Sequence, residues 1–212
     1  MLIITGLGRC GTSFVALFLQ KMGYDLGDQI TWNEEMRAGL EWKKAYGLNI
    51  SLSNFIDKQG KIPEEYTEEM EQKILKLDKI VFKDPRFTWH PKIIEFWYDT
   101  RKDIQILLLH RDPIADIVKS RKKLIKESRQ DSRRGDDIIQ FRNDFCEFVS
   151  QLSRSGIQFR IMLFPDFLKQ YDKMYKNLKE LGLLFNYEEG KKIWEELVDK
   201  DNVSFKPEGI EI

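Results

Sequence analysis

Four short runs of aliphatic and β-branched residues, at 2–5, 80–82, 104–109 and 157–163, punctuate a chain that is otherwise mostly polar. Each gives way to a segment in which apolar residues recur at helical spacing. Runs that stay apolar without alternating suit strands covered on both faces, and repeated strand-then-helix order favours a parallel sheet between helices. The pattern predicts an α/β fold of three layers, with a central parallel sheet of four to five strands flanked by helices. Phe14, Phe18 and Met22, with Leu17 beside them, line one face of the first helix. A longer helix over 136–153 follows from Ile138, Phe141, Phe145, Phe148, Val149 and Leu152 at three- and four-residue steps. Pro165 and Asp166 open a helix through Lys179 that stops near Gly182, and Tyr187 to Val198 forms one more. Residues 27–79 read as mostly helical and polar, with Asn33 as a cap and Pro63 opening a further helix. This excursion between the first two strands is the natural place for a substrate-facing region. Neither repeats nor linker-like composition interrupts the chain, so residues 1–212 are expected to form a single domain.

Charge narrows the function classes. Lysine plus arginine equal aspartate plus glutamate at 35 each, which leaves no overall field to draw nucleic acid or an acidic membrane surface. Any anion site must be local. Of the two cysteines, Cys10 lies in a glycine-rich turn that a disulfide would freeze, so a reducing compartment is expected. The apolar start is cut short by Gly6 and Arg9, which fits neither a cleavable signal nor a membrane span, and no other apolar run approaches about 20 residues. The expectation is a soluble, cytoplasmic protein; oligomeric state is not legible.

The chemistry begins at that turn. Gly6-Leu7-Gly8-Arg9-Cys10-Gly11-Thr12-Ser13 joins the first strand to the first helix. Glycines let the backbone fold back with its N–H groups inward, and the helix start adds unpaired donors and a positive dipole end. The spacing nearly satisfies the P-loop pattern, but Thr12 stands where that pattern has its lysine. Arg9, inside the loop, cannot copy the lysine geometry. The loop therefore suits a single 5′-phosphate better than a magnesium triphosphate.

In open parallel sheets ligands bind beyond the carboxyl ends of the strands. Three predicted ends carry Arg9, then Lys83-Asp84-Pro85-Arg86, then His110-Arg111-Asp112-Pro113, so one fold rule gathers Arg9, Lys83, Arg86 and Arg111. Two phosphates, or a phosphate and a sulfate, match that charge. In the order of these motifs the chain resembles the sulfotransferases that use 3′-phosphoadenosine 5′-phosphosulfate (PAPS), and most closely their bacterial branch. The residues that carry the resemblance are the loop 6–13, its helix exit Met22-Gly23-Tyr24-Asp25-Leu26-Gly27, Lys83-Asp84-Pro85-Arg86, Arg111-Asp112-Pro113 and Phe164-Pro165-Asp166-Phe167.

The resemblance implies a P-loop-like fold and transfer of a sulfuryl group from PAPS, as co-substrate, to a hydroxyl of a carbohydrate or small-molecule acceptor. It further implies that Gly8, Arg9, Cys10, Gly11, Thr12 and Ser13 hold the 5′-phosphate and that Arg111 grips the 3′-phosphate through its planar fork. Lys83 would neutralise charge developing on the leaving phosphate. The scheme requires no metal. Cys10 replaces the family's loop serine, and the serine expected eight residues beyond Arg111 falls at Lys119, with Ser120 one step later, so either residue is the candidate second partner of the 3′-phosphate. The acceptor also needs a base within hydrogen-bond reach. Glu41 is the stronger candidate because some bacterial relatives use a glutamate in this excursion, with Glu34 and Glu35 as substitutes, and His90, seven residues past Lys83, is the other. Asp84 and Asp112 read as turn caps before proline. The basic stretch from Lys119 to Arg134 reads as a solvated helix face, the alternative being contact with the 3′-phosphate or an anionic acceptor, and no nucleic-acid module is recognised. The rival readings are a P-loop kinase or triphosphatase and a nucleotide-binding relative without turnover.

Overall fold

A computed structural model describes residues 1–7, 10–28, 41–59, 61–78, 81–112 and 138–199. Its centre is a wholly parallel sheet of β1 (Leu2–Gly6), β2 (Val81–Lys83), β3 (Gln105–Arg111) and β4 (Gln158–Phe164), in spatial order β2-β1-β3-β4. The first three are buried almost throughout, as their apolar runs require, whereas β4, expected to be covered like them, is buried only at Met162 and Phe164 because it lies at the edge of the sheet. The observed strands end one or two residues later than the apolar runs, because a strand ends where its neighbour stops pairing rather than where its apolar side chains stop. Thus β3 reaches Arg111 because β4 runs beside it, with Arg111 opposite Phe164.

Side-chain alternation sorts the residues into two cores. Ile4, Val81, Leu107, Leu109, Met162 and Phe164 face one way, where α1 (Thr12–Lys21), α8 (Tyr171–Glu180) and α9 (Tyr187–Asp199) cover them. Ile3, Phe82, Ile106 and Leu108 face the other way, under α2 (Lys43–Gln59), α3 (Glu64–Leu75), α5 (Pro91–Thr100) and α6 (Ile138–Ser155). Two single-turn helices, α4 (Arg86–Trp89) and α7 (Asp166–Lys169), follow β2 and β4 directly. The fold is therefore the three-layer α/β arrangement that the pattern predicts.

The helix expected from Pro165 to Lys179 is instead two helices. Gln170 takes up extended backbone (φ −135°, ψ 90°) between α7 and α8. Phe167 before the break and Tyr171, Met174 and Leu178 after it all enter the same core, and the break redirects the chain so that both segments can pack. Within the 27–79 excursion, α2 and α3 account for the helical character, with Pro63 in extended backbone at the N-cap of α3. Asn33, Glu34 and Glu35 lie outside the described residues, as do Asp136 and the basic stretch after Arg111. Trp42 fills the core beside Phe82. No helix among the described residues is long and apolar enough to cross a membrane.

Candidate active site at the carboxyl ends of the strands

Strand order places a topological switch at β1 and β3. The chain leaves β1 for the α1 side, whereas it leaves β3 for α6 on the opposite side. A crevice at the carboxyl ends of such strands is the general ligand position in open α/β sheets. The turn after β1 is shaped by two glycines. A Cβ on Gly6 would collide with Cys10 Sγ and the Leu109 carbonyl oxygen. Gly11 adopts φ 86°, and a Cβ there would fall 2.5 Å from Phe167 Cζ and 2.9 Å from Phe164 Cδ2. Backbone conformation and space both demand glycine. Gly11 then stands at the N-cap of α1, which has no side-chain cap among the described residues and no acidic residue in its first turn. The positive end of α1 is thus left for an anion to complement.

Three residues far apart in sequence meet beside this helix start. Lys83 Nζ donates to Ser13 Oγ at 3.0 Å and to Glu41 Oε1 at 2.7 Å. Glu41 also forms a parallel bridge with Lys83 at the outer edge of β2, so backbone and side chain both hold it there. The Lys83 side chain is 4% exposed and that of Glu41 14%. A charge pair this deep is costly to break from one side, because the remaining charge is left without its partner.

Strand parity puts the second cation on the same side. Lys83 continues the α1-facing series from Val81, and Arg111 continues that of Leu107 and Leu109. Arg111 is 3% exposed, with its guanidinium 5.0 Å from the centroid of the Phe164 ring. Lys83 and Leu107 both pair with Ile4, so Arg111 stands four residues further along the sheet, about 13 Å at strand rise.

The remaining candidates are placed as follows. Thr12 is the buried first residue of α1. Cys10 is fully buried in the α1-side core, and Cys146 is exposed. His90 is the junction of α4 and α5, with Pro91 as the first residue of α5. Gly8, Arg9, Lys119 and Ser120 lie outside the described residues. Arg86, gathered by the strand-end rule, is committed to Asp84 through a 2.8 Å ion pair and sits 3.7 Å from the Tyr46 ring centroid. Asp84 also accepts the Arg86 backbone N–H at 2.9 Å, closing the turn before α4.

Sequence reasoning missed Asn49, which is fully buried and bonded to Asp84. A polar residue within the apolar positions of α2 was the available signal. His110, opposite in parity to Arg111, stacks on Phe145 with ring centroids 4.1 Å apart. Burial lowers its pKa below the ordinary 6.5, against a smaller opposing pull from Asp112. Among the described residues, no group of three or more His, Cys, Asp or Glu is arranged to hold a metal ion.

No protein-family model matches the chain, and no curated protein matches it. Among solved structures it is similar to the sulfotransferase domain from the curacin biosynthetic pathway, at 14% identity over 89% of this chain and 76% of that one, with a TM-score of 0.50. It is also similar to sulfotransferase STF1 from Mycobacterium tuberculosis H37Rv, at 11% identity over 96% and 76%, with a TM-score of 0.53. Identity at this level speaks for architecture, and the parallel four-stranded sheet with helices on both faces is the P-loop-like fold of these sulfotransferases.

Proposed function

We propose that the protein is a PAPS-dependent sulfotransferase acting on a hydroxyl of a carbohydrate or small molecule. The observation that carries this reading is the Lys83 amine held between Ser13 and Glu41 at the uncapped start of α1. A doubly anionic nucleotide fits the described residues. The glycine turn leads into the positive end of α1, and two buried cations stand on one face of the sheet at separate heights. Ser13, Thr12 and the amides after Gly11 would bind the 5′-phosphate, joined by Arg9 and Gly8, while Arg111 would hold the 3′-phosphate with Lys119 or Ser120. The donor supplies an activated sulfuryl group whose S–O bond to phosphate breaks as the acceptor oxygen bonds to sulfur.

This chain's residues would do the rest. Glu41 takes the acceptor proton, or His90 does so in its place. Lys83 stabilises the negative charge that the departing phosphate oxygen gains with the bonding pair. Both roles place charge where it develops in the transition state. No metal enters the scheme.

The test is mass-detected sulfuryl transfer from PAPS across an acceptor panel, for wild type and Lys83→Ala. The expected loss in turnover is about 10²- to 10³-fold, the range seen when one preorganised electrostatic donor is removed, with only a modest loss of affinity for adenosine 3′,5′-bisphosphate. Unchanged turnover would remove Lys83 from the chemistry.

A further inference from the structure

Helix α2 is fastened to the end of β2 at two levels. Just before the helix, Glu41 holds Lys83 by side chain and backbone. Further along, Asn49 is fully buried with both ends of its amide committed. Its Nδ2 donates to Asp84 Oδ2 at 2.8 Å, and its Oδ1 accepts from Trp97 Nε1 at 2.9 Å. These partners fix the orientation of the amide, since a carboxylate only accepts and an indole only donates.

Asp84 is the neighbour of Lys83 and is 1% exposed. Its carboxylate gathers Asn49 Nδ2, the Arg86 backbone N–H and the Arg86 guanidinium, and Tyr46, also on α2, supports that guanidinium. Its own N–H donates to the Ile4 carbonyl at 3.0 Å. Burial disfavours the Asp84 charge, and Arg86 together with Asn49 opposes that effect. A buried carboxylate needs every donor it has.

We propose that Asn49 is a positioning residue for Lys83: by donating to the Asp84 carboxylate it locks the Lys83 to Arg86 turn onto α2 and so holds the Lys83 amine between Ser13 and Glu41. Its effect on turnover rests on the sulfotransferase reading, whereas its effect on the amine does not. Without the Asn49 donor, the Asp84 carboxylate keeps only its Arg86 partners, α2 reaches the turn only through Tyr46, and the turn that carries Lys83 loosens.

The experiment follows the rate at which an amine-acylating reagent labels Lys83, read by mass spectrometry with the exposed Lys73 as internal reference. Wild type is compared with Asn49→Ala, with Asn49→Ser, which keeps a hydroxyl donor, and with Leu178→Ala. Leu178→Ala weakens the core on the other face of the sheet from Asn49 and Trp97. Labelling of Lys83 is expected to rise about tenfold in Asn49→Ala, less in Asn49→Ser, and not in Leu178→Ala at equal loss of melting temperature, the sign of a local opening that the wild type suppresses. Turnover at saturating donor should fall in Asn49→Ala while affinity for adenosine 3′,5′-bisphosphate stays within about threefold, a split between chemistry and binding. Should Asn49→Ala fail to fold, Asn49→Ser makes the comparison. A wild-type labelling rate in the Asn49 variants, or an equal rise in Leu178→Ala, overturns the proposal. Absence of sulfuryl transfer in wild type overturns only the reaction, because labelling still decides the role of Asn49.

Discussion

His110 and Arg111 are neighbours with opposite fates, because a strand sends successive side chains to opposite faces. Arg111 joins Lys83 on the α1 side. His110 lies against Phe145, with its Nδ1 buried and without a hydrogen-bond partner among the described residues. The pKa of His110 is lowered by that burial, so the unfolded chain takes up a proton at a higher pH than the folded one does. The stability that comes from a neutral imidazole is therefore complete above the ordinary value of 6.5 and is lost as pH falls through 6.5 toward the lowered folded value. His110→Phe keeps the ring contact and removes the titration. Its melting temperature should fall less than that of wild type between about pH 7 and pH 5, and parallel profiles would show that His110 does not report on folding. The motif singled out Arg111. The exclusion of His110 from that side follows from parity alone once Arg111 is placed.

Elements are joined here by a few buried polar contacts. Thr5 at the end of β1 and Thr88 on α4 share a fully buried hydroxyl pair at 2.9 Å. Their apolar isostere is valine. Thr88→Val alone leaves the Thr5 hydroxyl buried without a partner, at a cost of about 1–3 kcal/mol, whereas the double change to valine should cost less than either single change. Denaturant unfolding of the three variants measures this, and simple additivity would mean that the pair contributes no coupling. The positions of the strands were legible because runs rich in aliphatic and β-branched residues are uncommon in so polar a chain. The junctions were less so, and Gln170 breaks a helix that local propensity would continue, because Phe167 and Tyr171 must enter one core.

For the whole molecule, the parallel register sets the spacing of the two buried cations. Lys83 and Arg111 are separated by four residues along the sheet and by the width of β1 between their strands, a spacing that suits two anionic groups on one ligand better than one compact phosphate. Adenosine 3′,5′-bisphosphate, in chelator, at ~100-fold its dissociation constant should add ~2.7 kcal/mol to stability. For a chain of this size that is about 5–10 °C in melting temperature. ADP with magnesium should do markedly less. An equal shift from both nucleotides would favour the kinase or triphosphatase reading over the one proposed.

The amino-acid sequence by itself determined the strands, the glycine turn into α1 and the set of cations at strand ends, because β-branched runs, glycines at tight turns and strand-then-helix order act over a few residues. Only the tertiary structure decided which of those residues touch. Ser13 and Glu41 lie 70 and 42 positions from Lys83 along the chain, and what joins them is the parallel register of β1 and β2 and the docking of α2 across the sheet edge. The same docking turns Asn49, an unremarked polar residue in a helix, into a buried donor for Asp84. Contacts of that kind depend on how whole elements pack, which local sequence preferences do not encode.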